Sequence, residues 1–222
     1  MRVLGLDGCP AGWVAVVLED GRFVEARLAG TIEAALEAFP GVVAAGVDMP
    51  IGLPAREKRR SDQEAKAFVG PRQNSVFWTP PLEAIEAASQ TDAVQACHRL
   101  GAPGISAQCY ALRPKIFEAR KAADGDTRVF EVHPEVSFRA MSAGPLGSKK
   151  SWDGLMERLD LLAAEGVELP RRMGLGARVA VDDVVDAGAV AWSAWRYARG
   201  MARTLPAEPA ADELQERLVI WY

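Results

Sequence analysis

The sequence predicts an α/β protein with a mixed central sheet flanked by helices, and three observations predict it. Residues 3–6 and 13–18 are short apolar runs rich in β-branched side chains, separated by the turn formers Gly8, Pro10 and Gly12, so they read as a hairpin. Residues 31–39 carry helical periodicity, with Thr31 placed to cap the start and Ile32, Ala35, Leu36 and Phe39 on one face. Residues 42–50 return to a strand pattern that ends in Asp48. Residues 22–28 alternate and make a third strand after the Asp20-Gly21 turn, so the order is strand, strand, strand, helix, strand. A right-handed crossover through the helix lays the last strand parallel to and beside the first. Both then finish at one edge, the first with Asp7 and the fourth with Asp48.

Residues 51–125 read as a helical insertion after this fourth strand. Ile51-Gly52-Leu53-Pro54 breaks the strand, and a basic stretch follows with Arg56, Lys58, Arg59, Arg60, Lys66 and Arg72. Residues 70–81 form a turn-rich loop. Residues 91–100 and 106–121 are helical, the second restarted at Pro114. Residues 128–132 form a further strand, and Pro134 opens a helix that runs to residue 141. Residues 151–165 are amphipathic, with Leu155, Leu159 and Leu162 on one face. The helix over residues 182–199 is apolar nearly all round, which places it centrally, and Gly200 ends it. Residues 206–211 are a linker. Residues 217–222 are a terminal strand or a docking tail, and a strand there offers an edge through which two copies of the chain can pair. Residues 1–222 are read as a single domain.

Composition narrows the function. The chain of 222 residues is 49% hydrophobic and 25% charged, an ordinary globular balance, and its formal net charge of −4 provides no overall basic field for nucleic acid. A local basic groove is compatible with that figure. No apolar run is long enough to span a bilayer, and the first residues enter a strand without the pattern of a secretory leader, so no membrane association is expected. Three widely spaced cysteines form no metal-type pair and suit a reducing, cytoplasmic setting. Two histidines are too few for a histidine-rich metal site.

Chemistry concentrates in the acids. Taken alone, Asp7 is a turn cap before Gly8. Beside Asp48 and the run Asp182-Asp183-Val184-Val185-Asp186 it becomes part of a cluster. Asp182 reads as the N-cap of the last long helix, and Asp183 suits the positive end of its dipole. Asp186 lies about a turn further in, among apolar neighbours, where capping does not explain it. Small residues on the same face, Ala187, Val190 and Ala194, allow close approach to a sheet. Carboxylates meeting at one edge suit Mg²⁺ or Mn²⁺, which prefer oxygen ligands and can activate water for phosphodiester hydrolysis. Glu131 and His133 end another strand and are read as additional members of the site. Arg72 and Lys115 are the basic residues expected to bind substrate. Arg56, Arg59, Lys149 and Lys150 are expected on the solvated surface.

Five stretches carry a family resemblance: Gly5-Leu6-Asp7-Gly8-Cys9-Pro10-Ala11-Gly12-Trp13, Val47-Asp48-Met49-Pro50-Ile51-Gly52-Leu53-Pro54, Arg72-Gln73-Asn74-Ser75-Val76-Phe77, Glu131-Val132-His133-Pro134-Glu135-Val136-Ser137-Phe138 and Asp182-Asp183-Val184-Val185-Asp186-Ala187. In this order they resemble the bacterial family called domain of unknown function 429, grouped with the predicted RNase H-like nucleases. The resemblance implies an RNase H-like core with acids on the first strand, the fourth strand and the last core helix. That helix is also similar to the end of the Holliday-junction resolvase branch, whose metal-binding positions match Asp183 and Asp186. The implied function is a divalent-metal-dependent nuclease or phosphodiesterase with Asp7, Asp48 and Asp186 on Mg²⁺ or Mn²⁺, and Asp183 and Glu131 as further ligands or water orienters. The alternatives are a non-catalytic module binding a nucleotide, nucleic acid or protein, and a small-molecule phosphohydrolase or phosphotransferase on the same core.

Overall fold

A computed structural model of the chain describes residues 1–175 and 179–222. Three antiparallel strands open it: β1 (Arg2–Cys9), β2 (Gly12–Glu19) and β3 (Arg22–Ala29). The hairpin between β1 and β2 is tighter than the sequence suggests, with Cys9 paired to Gly12 across Pro10-Ala11. Asp7 is therefore a strand residue paired to Val14, not the cap of a turn. Asp20 and Gly21 both take positive φ, 50° and 78°, and close the second hairpin, as an Asp-Gly pair does. Thr31 caps α1 (Ile32–Ala38), its hydroxyl accepting from Ala34 N at 3.0 Å. Then β4 (Val42–Val47) runs parallel to β1.

The segment after β4 holds α2 (Arg60–Val69), a 3₁₀ turn over Gly70–Ser75, α3 (Leu82–Glu86), α4 (Gln90–Arg99), α5 (Ala107–Ala111) and α6 (Arg113–Gly125). The sequence reading missed α2 and α3. The last of these helices, α6, lies beside α1 on the sheet and links β4 to β5 (Val129–Glu131), which is parallel to β4. The remaining elements are α7 (Pro134–Met141), α8 (Trp152–Ala164), α9 (Val181–Ala198), β6 (Thr204–Leu205), α10 (Ala211–Gln215) and β7 (Ile220–Trp221). Among the described residues the strand order is β3-β2-β1-β4-β5, a mixed sheet with helices on both faces.

Alternation along the strands divides the interior in two. Leu4, Leu6, Trp13, Ala15, Val17, Ala45 and Val47 face α1 and α6. Val3, Val14, Val16, Leu18 and Ala44 face α9, which crosses β1, β2 and β4. That crossing is unusually close. A Cβ on Gly5 would lie 2.2 Å from Ala191 N and 2.3 Å from Ala187 O, inside the helix backbone. A Cβ on Gly46, the partner of Gly5 in β4, would lie 2.9 Å from a Val190 methyl. Two glycines side by side on parallel strands make the trough in which the small-residue face of α9 lies.

The chain end is fastened within the chain. β7 pairs antiparallel to β6, Trp221 bridges to Val132, and Arg203 and Tyr222 exchange backbone hydrogen bonds of 2.7 and 2.9 Å. The strand expected as a pairing edge between copies is thus paired with β6 on one side and bridged at Trp221 on the other among the described residues. No helix among the described residues is long and apolar enough to cross a membrane.

Gly5→Ala is expected to destabilise the protein by about 3 kcal/mol, at the upper end of overpacking costs because backbone rather than side chain must move. Urea unfolding measures this, and a change below about 1 kcal/mol would show that α9 is free to slide away from the sheet.

Candidate functional site

The site grows out of the glycine trough. Leu6 and Val47 are the last residues that β1 and β4 pair with each other, and the Asp48 amide donates to the Leu6 carbonyl at 2.8 Å. Asp7 and Asp48 are the next residues on two parallel chains, so they stand side by side. Both continue the face that carries Gly5 and Gly46 two residues earlier, the face covered by α9. The third acid, Asp186, comes from α9 itself, immediately before the Ala187 that rests on Gly5. Asp183, one turn earlier, is half-buried at the same helix end.

These acids sit in an electrostatically costly arrangement. Asp7 is buried, and its pKa is pushed well above the ordinary carboxylate range by burial first, then by the charges of Asp48 and Asp186 and by a side-chain hydrogen bond with Asp48. Two carboxyls in such contact need a shared proton or a cation. Asp186 is 3% exposed, and burial pushes its pKa up to about 7, opposed by Lys149. Its Oδ2 accepts from the Lys149 ammonium, while its Oδ1 is buried with no hydrogen-bond partner. Burial lowers the affinity of Lys149 for its proton, but the charge and hydrogen bond of Asp186 outweigh this and raise its pKa, with Asp48 and Asp7 adding to the effect. Asp183 is raised by burial and then by Asp182.

An all-oxygen set with an unpartnered buried oxygen fits a hard divalent cation in donor type and charge. Its present spacing is another matter. Among the described residues no group of three or more His, Cys, Asp or Glu side chains is arranged to hold a metal ion. The positive charge next to the acids is the ammonium of Lys149, which also lies 3.9 Å from Asp182.

The acids form one side of a cleft of about 620 Å³. Arg72, Asn74 and Ser75 of the 3₁₀ turn also line it, Lys149 and Lys150 stand at the loop before α8, and Phe77 and Leu112 add apolar wall. Arg72 is 29% exposed, its Nη2 is 4.0 Å from Glu135 Oε1, and its buried Nε has no partner. Glu135 is already held by both 2.9 and 2.8 Å bonds from Arg158 Nη2, so Arg72 keeps donors for another anion.

A family model described as a protein of unknown function (DUF429) matches residues 5–211, which takes in every acid of the cleft. The chain belongs to the DUF429 family. No curated protein and no solved structure gives a significant match.

Three site residues expected from the DUF429 sequence have other work in the structure. Val47 pairs with Glu131, so Glu131 shares the Val47 face, opposite to Asp7 and Asp48. Both its oxygens are taken, by Arg59 at 2.6 and 2.7 Å and by the Ile51 amide at 2.8 Å, which removes it as a ligand of the acid cluster. His133 borders the cleft but is the N-cap of α7, where its Nδ1 accepts from the Glu135 amide at 3.2 Å. Lys115 borders the cleft only through its stem, against Gly8: its ammonium donates to the Gly12 carbonyl at 2.7 Å and sits 4.4 Å from the centre of the Trp13 ring, fastening α6 to the hairpin. Asp182 is not the cap of α9 either, because the helix begins one residue earlier, with Ala180 at the N-cap position.

The sequence reading also missed the buried charges of this DUF429 protein. Arg59 bonds Asp62 and Glu131, while Asp62 accepts from the Thr79 amide at 2.7 Å and its hydroxyl at 3.2 Å. Burial works against the Arg59 charge, but Asp62 and Glu131 outweigh it and hold the guanidinium protonated. Arg158 is fully buried on Glu135 and the carbonyls of Gly147 and Gly154. Lys149, expected on the surface, is in the acid cluster; its one sequence signal is its place in a Gly-Ser-Lys-Lys loop directly before the Ser151 cap of α8.

The two kinds of buried charge are expected to respond oppositely to mutation. Arg59→Met should cost about 3–5 kcal/mol, because Asp62 and Glu131 are left buried and unpaired. Asp7→Asn should leave the metal-free protein as stable or raise its stability by about 0.5–2 kcal/mol, because it removes a charge the fold disfavours. Chemical denaturation of chelator-treated protein distinguishes them, and a comparable loss in both would make Asp7 a structural residue.

Proposed function

We propose that this DUF429 protein is a divalent-cation-dependent phosphodiesterase acting on nucleic acid. The observation that carries the reading is the meeting of Asp7, Asp48 and Asp186 at the ends of two parallel strands and one helix, with Asp186 Oδ1 buried and unpartnered. These are the positions implied by the RNase H-like resemblance: first strand, fourth strand, last core helix. Mg²⁺ or Mn²⁺, held by Asp7, Asp48 and Asp186, supplies charge neutralisation at the phosphate and acidifies water.

The chain's own residues do the rest. Arg72 and Lys150, which line the same cleft as the acids, bind non-bridging phosphate oxygens. Asp183, half-buried beside them, orients water. Phe77 and Leu112 limit solvent access from the wall. Arg59, Asp62 and Glu131 also line the cleft, and Arg59 acts there as a positioning residue: by tying Glu131 and Asp62 it holds the start of α2, and so the turn that carries Arg72, against β5. The cleft volume of about 620 Å³ lies within the range of small-molecule sites, which favours as second reading a phosphohydrolase acting on a nucleotide or other small phosphate ester.

The test is cleavage of single-stranded, duplex and branched DNA and RNA, and of nucleotide phosphodiesters, with Mg²⁺ or Mn²⁺ and with chelator. Hydrolysis should require the cation and fall more than about 100-fold in Asp7→Asn, beyond the 10–100-fold cost of losing a merely supporting group. Equal activity in Asp7→Asn, or activity undiminished by chelator, would overturn the metal-dependent reading. Hydrolysis of small esters with intact polynucleotides would select the second.

A further inference from the structure

We infer that Lys149 is a tethered stand-in for the cation: its ammonium neutralises the acid cluster while no metal is bound, and it must be displaced before a divalent ion can be held there. The inference rests on the cation-dependent reading above and adds to it a residue the sequence placed on the surface. Four observations support it.

First, Lys149 contacts Asp186 directly and lies 3.9 Å from Asp182, so it takes one of the two oxygens of a buried acid of the cluster. Second, the other oxygen of Asp186, Oδ1, is buried and has no partner, so the ammonium satisfies this carboxylate by half. A polar atom in that state costs about 1–3 kcal/mol, which an additional cation at Oδ1 would recover. Third, among the described residues no group of three or more His, Cys, Asp or Glu side chains is arranged to hold an ion, while the ammonium lies against Asp186, beside the neighbouring strand-end acids Asp7 and Asp48. Fourth, Lys149 is on the connection between α7 and α8, next to the exposed Lys150 at the cleft, and its side chain is 27% exposed, so it has a way out into solvent. The buried Arg59 and Arg158, which are locked by several partners each, have none.

A lysine suits this duty physically. Its charge sits at the end of a flexible four-carbon stem with three rotatable donors, so it can leave without moving the backbone. The consequence is competition. Each metal-binding event includes breaking the Lys149–Asp186 pair, and metal affinity is lower by the worth of that pair.

The experiment titrates Mn²⁺ into the chelator-stripped full-length protein and counts free ion by electron paramagnetic resonance, for wild type, Lys149→Ala, Lys149→Arg and Asp7→Asn. Lys149→Ala should bind Mn²⁺ at least about tenfold more tightly than wild type, equivalent to about 1.4 kcal/mol. Lys149→Arg, which keeps the charge, should stay near wild type. Without metal, Lys149→Ala should melt at a lower temperature than wild type and recover on adding Mn²⁺, which confirms that the variant is folded. If wild type binds Mn²⁺ and Asp7→Asn does not, while Lys149→Ala binds no more tightly than wild type, Lys149 is a simple ion-pair partner and this inference is wrong. If neither wild type nor Lys149→Ala binds Mn²⁺, the cation-dependent reading falls and takes this inference with it.

Discussion

The close seating of α9 on β1 and β4 is the constraint on which the rest depends. Helix backbone meets strand backbone there because Gly5 and Gly46 present no side chain and the facing helix surface is small at Ala187 and Ala191. Close approach buries much of the interior, but it also determines geometry one step further along each element. Two residues beyond the glycines come Asp7 and Asp48, and one residue before Ala187 comes Asp186. The packing solution for the core and the convergence of the acids are the same event, and a wider helix–sheet spacing would lose both.

Buried charge in this protein is of two kinds. Arg59 with Asp62 and Glu131, and Arg158 with Glu135, are ion pairs whose hydrogen bonds are nearly complete and whose members are locked by further backbone partners. Such groups resist change because removing one leaves another unpaired in the interior. The acids of the cleft are the opposite. Asp7 and Asp48 stand side by side at the strand ends, Asp186 keeps a bare oxygen, and one flexible ammonium offsets them. Carboxylates held against their own electrostatics, at a cleft, are what a site poised for a positively charged partner looks like. The locked pairs have a part in it too, since they fix α2 and α7, which carry the opposing wall.

Legibility followed the source of each signal. The first four strands, α1, α7 and α9 could be read because their faces are apolar at a regular period, and Thr31 and Ser151 announce helix starts by chemistry that is local in sequence. The helix α2 could not, because its inward face includes Ser61 and Asp62, polar residues that are buried only because Arg59 and Thr79 meet them. The apolar line of α8 holds, with Leu162 buried and Leu155 and Leu159 packed against the same core, but the structure also turns Gly154 and Arg158 inward, which no apolar pattern announces, since Arg158 has Glu135 to bind. Glu131 was assigned to the acids because alternation fixes faces within a strand but not between strands. Its register against Val47 puts it on the other side of the sheet.

The sequence by itself determined the α/β class, the order of the main elements and the family, and it singled out Asp7, Asp48, Asp183 and Asp186, since periodicity and strand-end acids are properties of neighbouring residues. Only the tertiary structure decided which charges face each other. It gave Glu131 to Arg59, Lys115 to the hairpin and Lys149 to Asp186, and it tied the last strand back into its own chain. The reason is physical: the state of a charge depends on what lies within a few ångströms of it, and those neighbours come from segments that are far apart in the chain.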